Sequence, residues 1–108
     1  MPQIIETDAA DVQAWLENDE AVLVDVREDN ELVQARIPNA AIHNPLSRFD
    51  PEQVPSDTGK KLVFVCAQGV RSYQAGQYLL DQGFITEAYN LTNGISGWHQ
   101  AGLPLDMG

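Results

Sequence analysis

The stretch Lys61-Leu62-Val63-Phe64-Val65-Cys66-Ala67-Gln68-Gly69-Val70-Arg71-Ser72 reads as a buried strand, a tight loop and the start of a helix in direct succession. A short apolar run ended by a Gly-containing loop suits a strand covered on both faces. The segment 71–82 that follows puts Ala75, Tyr78 and Leu79 on one side of a helix, with Gly83 placed at its C-terminal end. At such a junction several backbone N–H groups and the positive end of the helix dipole converge on one spot. Cys66, the single cysteine of the chain, stands there. A thiolate so placed has its pKa lowered, and a persulfide or an oxyanion bound beside it is favoured for the same reason. A lone cysteine that ends a strand is commonly just a small buried hydrophobe. Gly69 and Arg71 argue for chemistry instead, because the loop uses Gly for backbone angles other residues avoid and Arg71 adds a fixed cation.

Working outward, strand-like and helix-like segments alternate. A short strand is expected over 3–5, then a helix capped by Thr7 or Asp8 with Val12, Trp15 and Leu16 on one face. Residues 21–26 form a compact apolar run typical of a central parallel strand. A short helix is expected over 28–35, acidic in its first turn and closed by Pro38, then a brief strand over 40–43 and one helical turn over 45–49. Residues 50–59, with Pro51, Pro55 and Gly59, read as a loop. A last strand falls over 86–91 and a last helix over 95–101, before a tail over 102–108. This alternation predicts an α/β fold: right-handed crossovers, a mostly parallel sheet and helices on both faces. Ligands bind at the carboxyl ends of the strands in such sheets, and Cys66 ends the strongest one.

Composition narrows the function. A chain of 108 residues that is 44% hydrophobic fits one domain over 1–108 with a core of its own. Six Lys and Arg against 16 Asp and Glu give a net charge of −10, which excludes nucleic acid as a natural partner. An acidic surface also repels small anions, so an anionic substrate needs a local positive site. Arg71 offers one. No apolar run approaches the roughly 20 residues of a membrane span and no secretory leader is evident, so the reading is a cytoplasmic protein that avoids membranes. A single Cys gives no disulfide framework and fits a reducing compartment. With only two distant His besides, it forms no metal-ligand spacing, and no cofactor is implied.

Several blocks together resemble the single-domain rhodanese-like sulfurtransferases. They are Leu23-Val24-Asp25-Val26-Arg27-Glu28 followed by Glu31, Ile37-Pro38-Asn39-Ala40, the loop Cys66 to Ser72, Gly83-Phe84, and Asn90-Leu91-Thr92-Asn93-Gly94-Ile95 with Trp98 and Ala101-Gly102-Leu103-Pro104. Their order and spacing hold across nearly the whole chain. The resemblance implies a three-layer sandwich around a five-stranded parallel sheet, and a cysteine that carries sulfane sulfur as a persulfide. Three departures stand out: Ala35-Arg36 for the usual Gly-His, Asn39 for a Gly, and Asn93-Gly94 for Gly-Gly. None touches the Cys66 loop, so they are expected to alter local turns and not the chemistry.

Loop length separates reaction classes. Related phosphatases and arsenate reductases have a loop one residue longer, with its Arg at the position that Ser72 holds here. The shorter ring from Cys66 to Arg71 suits the outer sulfur of a persulfide better than a tetrahedral oxyanion. The expected reaction is therefore sulfur transfer in two displacements. Cys66 takes sulfur from a small anionic donor such as thiosulfate and passes it to cyanide or a thiol. The backbone of Ala67, Gln68, Gly69, Val70 and Arg71 would bind the transferred sulfur, and the Arg71 guanidinium the sulfonate end of the donor. The resemblance makes Asp25 and Arg27 a structural pair that braces the loops around Cys66, with Ser72 in support. His43 and His99 receive no role, and Trp15 and Trp98 are read as packing residues. The alternative is a persulfide carrier or interaction module that exchanges sulfur with, or docks on, a protein partner.

Overall fold

In the computed structural model, which describes residues 2–38, 42–55 and 58–107, five strands make one parallel sheet. They are β1 (Ile5–Thr7), β2 (Ala21–Asp25), β4 (Ile42–His43), β5 (Lys61–Val65) and β6 (Tyr89–Leu91), in the spatial order β1-β6-β5-β2-β4. The chain runs outward from β2 to β4, crosses back to β5 and proceeds to β6. The carboxyl end of β5 therefore lies where the strand order reverses, the place at which such sheets bind ligands.

Side-chain alternation along β5 explains the two helical layers. Leu62, Phe64 and Cys66 face a core that includes Val24, Val26, Ala75, Leu79 and Leu80, the last three from α3 (Val70–Asp81). Val63 and Val65 face the other way, onto Val12 of α1 (Ala9–Glu17), Leu23, Leu91 and Trp98 of α4 (Gly94–Gln100). A strand buried on both faces needs apolar residues at every position, which is why the run 62–65 has no polar break. Asp8 starts α1, accepting the Asp11 N–H at 2.8 Å, and α2 (Asp29–Leu32) follows Glu28.

Several boundaries differ from the sequence reading. The first strand sits two residues later, because Ile5, Glu6 and Thr7 register with Tyr89, Asn90 and Leu91. The helix expected over 28–35 stops at Leu32, and the last strand begins at Tyr89. Ala35–Arg36 instead forms β3, which pairs antiparallel with β7 (Asp106–Met107) in what was read as a tail. The expected strand over 40–43 is seen at Ile42–His43; Asn39 and Ala40 lie outside the described residues. The loop over 50–59 contains a 3-10 turn at Pro51–Gln53. Trp98 is fully buried, with its indole N–H donating to the Pro104 carbonyl at 2.8 Å. Trp15 is only half-buried, edge-on to Tyr89 and beneath the Lys61 ammonium. Among the described residues no helix is long and apolar enough to cross a membrane.

Candidate active site

Cys66 leaves β5 pointing into the mouth of its loop, with its residue surface 1% exposed. Gly69 takes φ +96°, a left-handed conformation that turns the chain into α3 and directs its N–H to Cys66 Sγ at 3.0 Å. A side chain at Gly69 would also stand 3.1 Å from the Asn93 nitrogen. The Ser72 hydroxyl lies 3.3 Å from the same sulfur. Burial works against the thiolate, but the Ser72 hydroxyl and the backbone N–H groups of Ser72, Gln68 and Gly69 outweigh it, so the thiol sits below its ordinary pKa. Of the cradle expected from Ala67 to Arg71, the N–H groups that act on Sγ are those of Gln68 and Gly69, joined by that of Ser72. Cys66, Ala67, Gln68, Val70 and Arg71 line a shallow cavity of about 170 Å³ at this point.

Arg71 is not an idle cation. Its Nη1 and Nη2 donate to Glu31 Oε1 and Oε2 at 2.7 and 2.8 Å, a bidentate pair that ties α3 to α2. The Arg71 guanidinium, its hydrogen bond first and its charge besides, holds the Glu31 carboxyl down to about 2. Glu31 in return raises Arg71 above its usual range. A cation in the first turn of a helix is disfavoured by the dipole, and Glu31 supplies the compensation.

Asp25 and Arg27 are buried together at the end of β2, next to β5. The Arg27 N–H and Nε reach Asp25 Oδ1 at 3.0 Å each, and Nη2 reaches Oδ2 at 2.8 Å and the Ala35 carbonyl at 2.9 Å. The intervening Val26 N–H donates to Val65 just before Cys66, at 3.0 Å. His43 Nε2 lies 2.7 Å from the Arg27 carbonyl. These contacts fix the β2–α2 connection, and α2 presents Glu31 to Arg71.

The Asn93-Gly94 turn requires a correction. The sequence reading set it apart from the Cys66 loop, yet the two are in direct contact. The Ile95 and Ser96 N–H groups donate to the carbonyls of Cys66 and Ala67 at 2.9 and 3.1 Å. A Cβ on Gly94 would stand 2.2 Å from the Cys66 carbonyl oxygen. Asn93 adopts φ +64°, which Asn tolerates better than most side chains, so the turn forms without a Gly at this position.

Three residues bonded into the site had no role in the sequence reading: Glu31, Asn90 and Glu6. The available signal for Asn90 was a polar residue between Tyr89 and Leu91 in a strand of the central sheet; it is 2% exposed and bonded to Ser72. Glu31 gave an acidic first turn and a place in the first block of the resemblance, with no partner assigned to it.

The buried strand, the Cys66 loop turning into α3 and the five-stranded parallel sheet define a cysteine-loop α/β domain. The rhodanese-like domain family model matches residues 8–101, and the chain belongs to that family. It is 32% identical over 104 residues to the thiosulfate sulfurtransferase GlpE of Glaesserella parasuis, covering 94% of each chain. It is 35% identical over 94 residues to a sulfurtransferase of Allochromatium vinosum, covering 86% of this chain and 85% of that one. The crystal structure of a rhodanese-related protein from Thermoplasma volcanium superimposes with a TM-score of 0.80 at 29% identity, covering 96% and 99% of the two chains.

Proposed function

We propose that this protein transfers sulfane sulfur through a persulfide on Cys66, with thiosulfate as the simplest donor and cyanide or a thiol as acceptor. The observation that carries the reading is Cys66 Sγ at the end of β5, accepting the Gly69 N–H at 3.0 Å within a ring of backbone donors. In the first displacement the thiolate bonds the outer sulfur of thiosulfate, and the sulfur–sulfur bond of the donor breaks with its electron pair leaving on sulfite. In the second, the acceptor bonds the outer sulfur of the persulfide and Cys66 leaves as thiolate. Charge is conserved in both steps and no general base is needed. Preorganised N–H groups favour the anion at each stage, and removing one such donor typically costs about 10²-fold in rate.

The Glu31 pair favours a second reading, that of a persulfide carrier served by a protein partner. With its charge matched by Glu31, Arg71 attracts a small dianion less than a free guanidinium would, and the net charge of −10 repels one. Thiocyanate formation from thiosulfate and cyanide decides between the two. Turnover that saturates with thiosulfate supports the enzyme. Absence of turnover, together with a persulfide loaded by a protein-bound donor, supports the carrier.

A further inference from the structure

Ser72 Oγ lies 3.3 Å from Cys66 Sγ and 2.5 Å from Asn90 Oδ1, and a serine hydroxyl owns one hydrogen. Asn90 decides where that hydrogen goes. Its amide nitrogen donates to the Glu6 carboxylate at 3.1 Å and to the Gly69 carbonyl oxygen at 3.0 Å. Neither partner has a hydrogen to return, so the amide has a single orientation and its oxygen faces Ser72. Glu6 is held in turn by the Thr92 hydroxyl at 2.7 Å and registers with Asn90 across β1 and β6. Two oxygens 2.5 Å apart with nothing between them would repel. The Ser72 hydrogen therefore lies on the line to Asn90, and Cys66 Sγ is left without it.

We propose that Asn90 is a positioning residue, which parks the Ser72 hydrogen away from Cys66 until negative charge reaches Sγ. Its role in turnover rests on the persulfide chemistry above. In the loaded state the charge sits on the outer sulfur, Sγ is a weak acceptor and the hydrogen stays with Asn90. When the acceptor bonds the outer sulfur, the sulfur–sulfur bond breaks and its electron pair goes to Sγ. The new thiolate then outcompetes Asn90, and the hydroxyl turns to it. The donor is thus recruited as charge develops on the leaving sulfur and is withheld from the loaded state. The same competition holds in the sulfur-free protein, where the help Ser72 gives the thiolate is reduced by the bond it gives up to Asn90.

The test is the pH dependence of Cys66 alkylation by iodoacetamide in the sulfur-free protein, for wild type, Asn90→Ala, Ser72→Ala and the double variant. The charged groups around the sulfur are Arg71 with its partner Glu31, Glu28 beyond them, and Glu6 behind Asn90; all four remain in every variant. Asn90→Ala removes the competitor and should lower the midpoint by about 0.5 to 1 unit, the scale of one neutral hydrogen bond. In the Ser72→Ala background the same substitution should leave the midpoint unmoved, because Asn90 acts only through the hydroxyl. A midpoint that rises in Asn90→Ala, or moves equally in both backgrounds, overturns the proposal. Should Asn90→Ala not fold, Ser72→Ala decides alone. A rise above about half a unit means the hydroxyl serves the anion without a competitor and overturns the proposal, and a smaller change supports it. Alkylation requires no sulfane sulfur, so loss of sulfur transfer with the alkylation pattern intact would count against the persulfide reading and not against this one.

Discussion

Gly94→Ala measures how firmly the last helix clamps the Cys66 loop. Gly94 has φ +55°, where an L side chain costs about 1–2 kcal/mol. Its new Cβ would stand 2.2 Å from the Cys66 carbonyl oxygen and 2.7 Å from the Ala67 carbonyl carbon, backbone atoms that cannot swing aside. Relief requires α4 to back off, which adds an overpacking cost of about 1–3 kcal/mol. It also stretches the Ile95 and Ser96 hydrogen bonds to Cys66 and Ala67, each worth about 1 kcal/mol. With those hydrogen bonds half lost, the expected loss is about 3–6 kcal/mol. Gly83 is the matched control, since it has φ +78° and nothing within 4 Å of its Cβ position. Gly83→Ala should therefore cost only the backbone term, about 1–2 kcal/mol. Urea denaturation followed by tryptophan fluorescence gives both values, and the Gly94 variant should also lose Cys66 reactivity because the loop carbonyls move. If the two variants fall within about 0.5 kcal/mol of each other, the contact between α4 and the Cys66 loop is not the constraint described here.

Four other outcomes are expected. Arg71→Ala should raise the thiosulfate KM about tenfold or more, while slowing discharge of a preloaded persulfide less, and Arg71→Lys should restore it only in part; equal losses in both half-reactions would mean Arg71 shapes the loop. Glu31→Gln leaves the Arg71 charge unmatched and should lower the thiosulfate KM, measured in the same assay. Glu31 is held below its ordinary value of 4.5, down to about 2, so its stabilising contribution is complete above pH 4.5 and is lost as pH falls toward 2. Discounted for partial exposure it is about 1 kcal/mol, and the stability gap between wild type and Glu31→Gln should close over that range in urea titrations. Inserting one Gly between Gly69 and Val70 should widen the ring and lower sulfur transfer, whereas the native loop should not hydrolyse aryl phosphates; faster phosphatase than sulfurtransferase activity in the native protein would remove ring size as the determinant.

What the sequence revealed depended on range. The run 62–65 and the segment 71–82 carry their own periodicity, and both were legible because burial on two faces or one leaves an apolar pattern. Cys66 and Gly69 could be placed by their neighbours alone. Ala35–Arg36 could not, because two residues hold no period and their partners at Asp106–Met107 are far off in the chain. Asp25 and Arg27 end an apolar strand, and buried charges of opposite sign so close together tend to pair. The same logic fails for Arg71 and Glu31, separated by 40 positions. The wiring of Glu6, Asn90 and Ser72 depends on a strand register that no local pattern encodes, and the contact of Gly94 with Cys66 depends on how α4 packs.

The central claim is that Cys66 holds the transferred sulfur. Treating the reduced protein with thiosulfate, removing excess donor and recording the intact mass should give one adduct of about 32 Da, a single sulfur atom on cysteine. Cyanide should remove it, with stoichiometric thiocyanate released, and Cys66→Ser should gain no mass while keeping its circular dichroism spectrum. A folded Cys66→Ser protein that still gains the adduct, or still produces thiocyanate, would contradict the account.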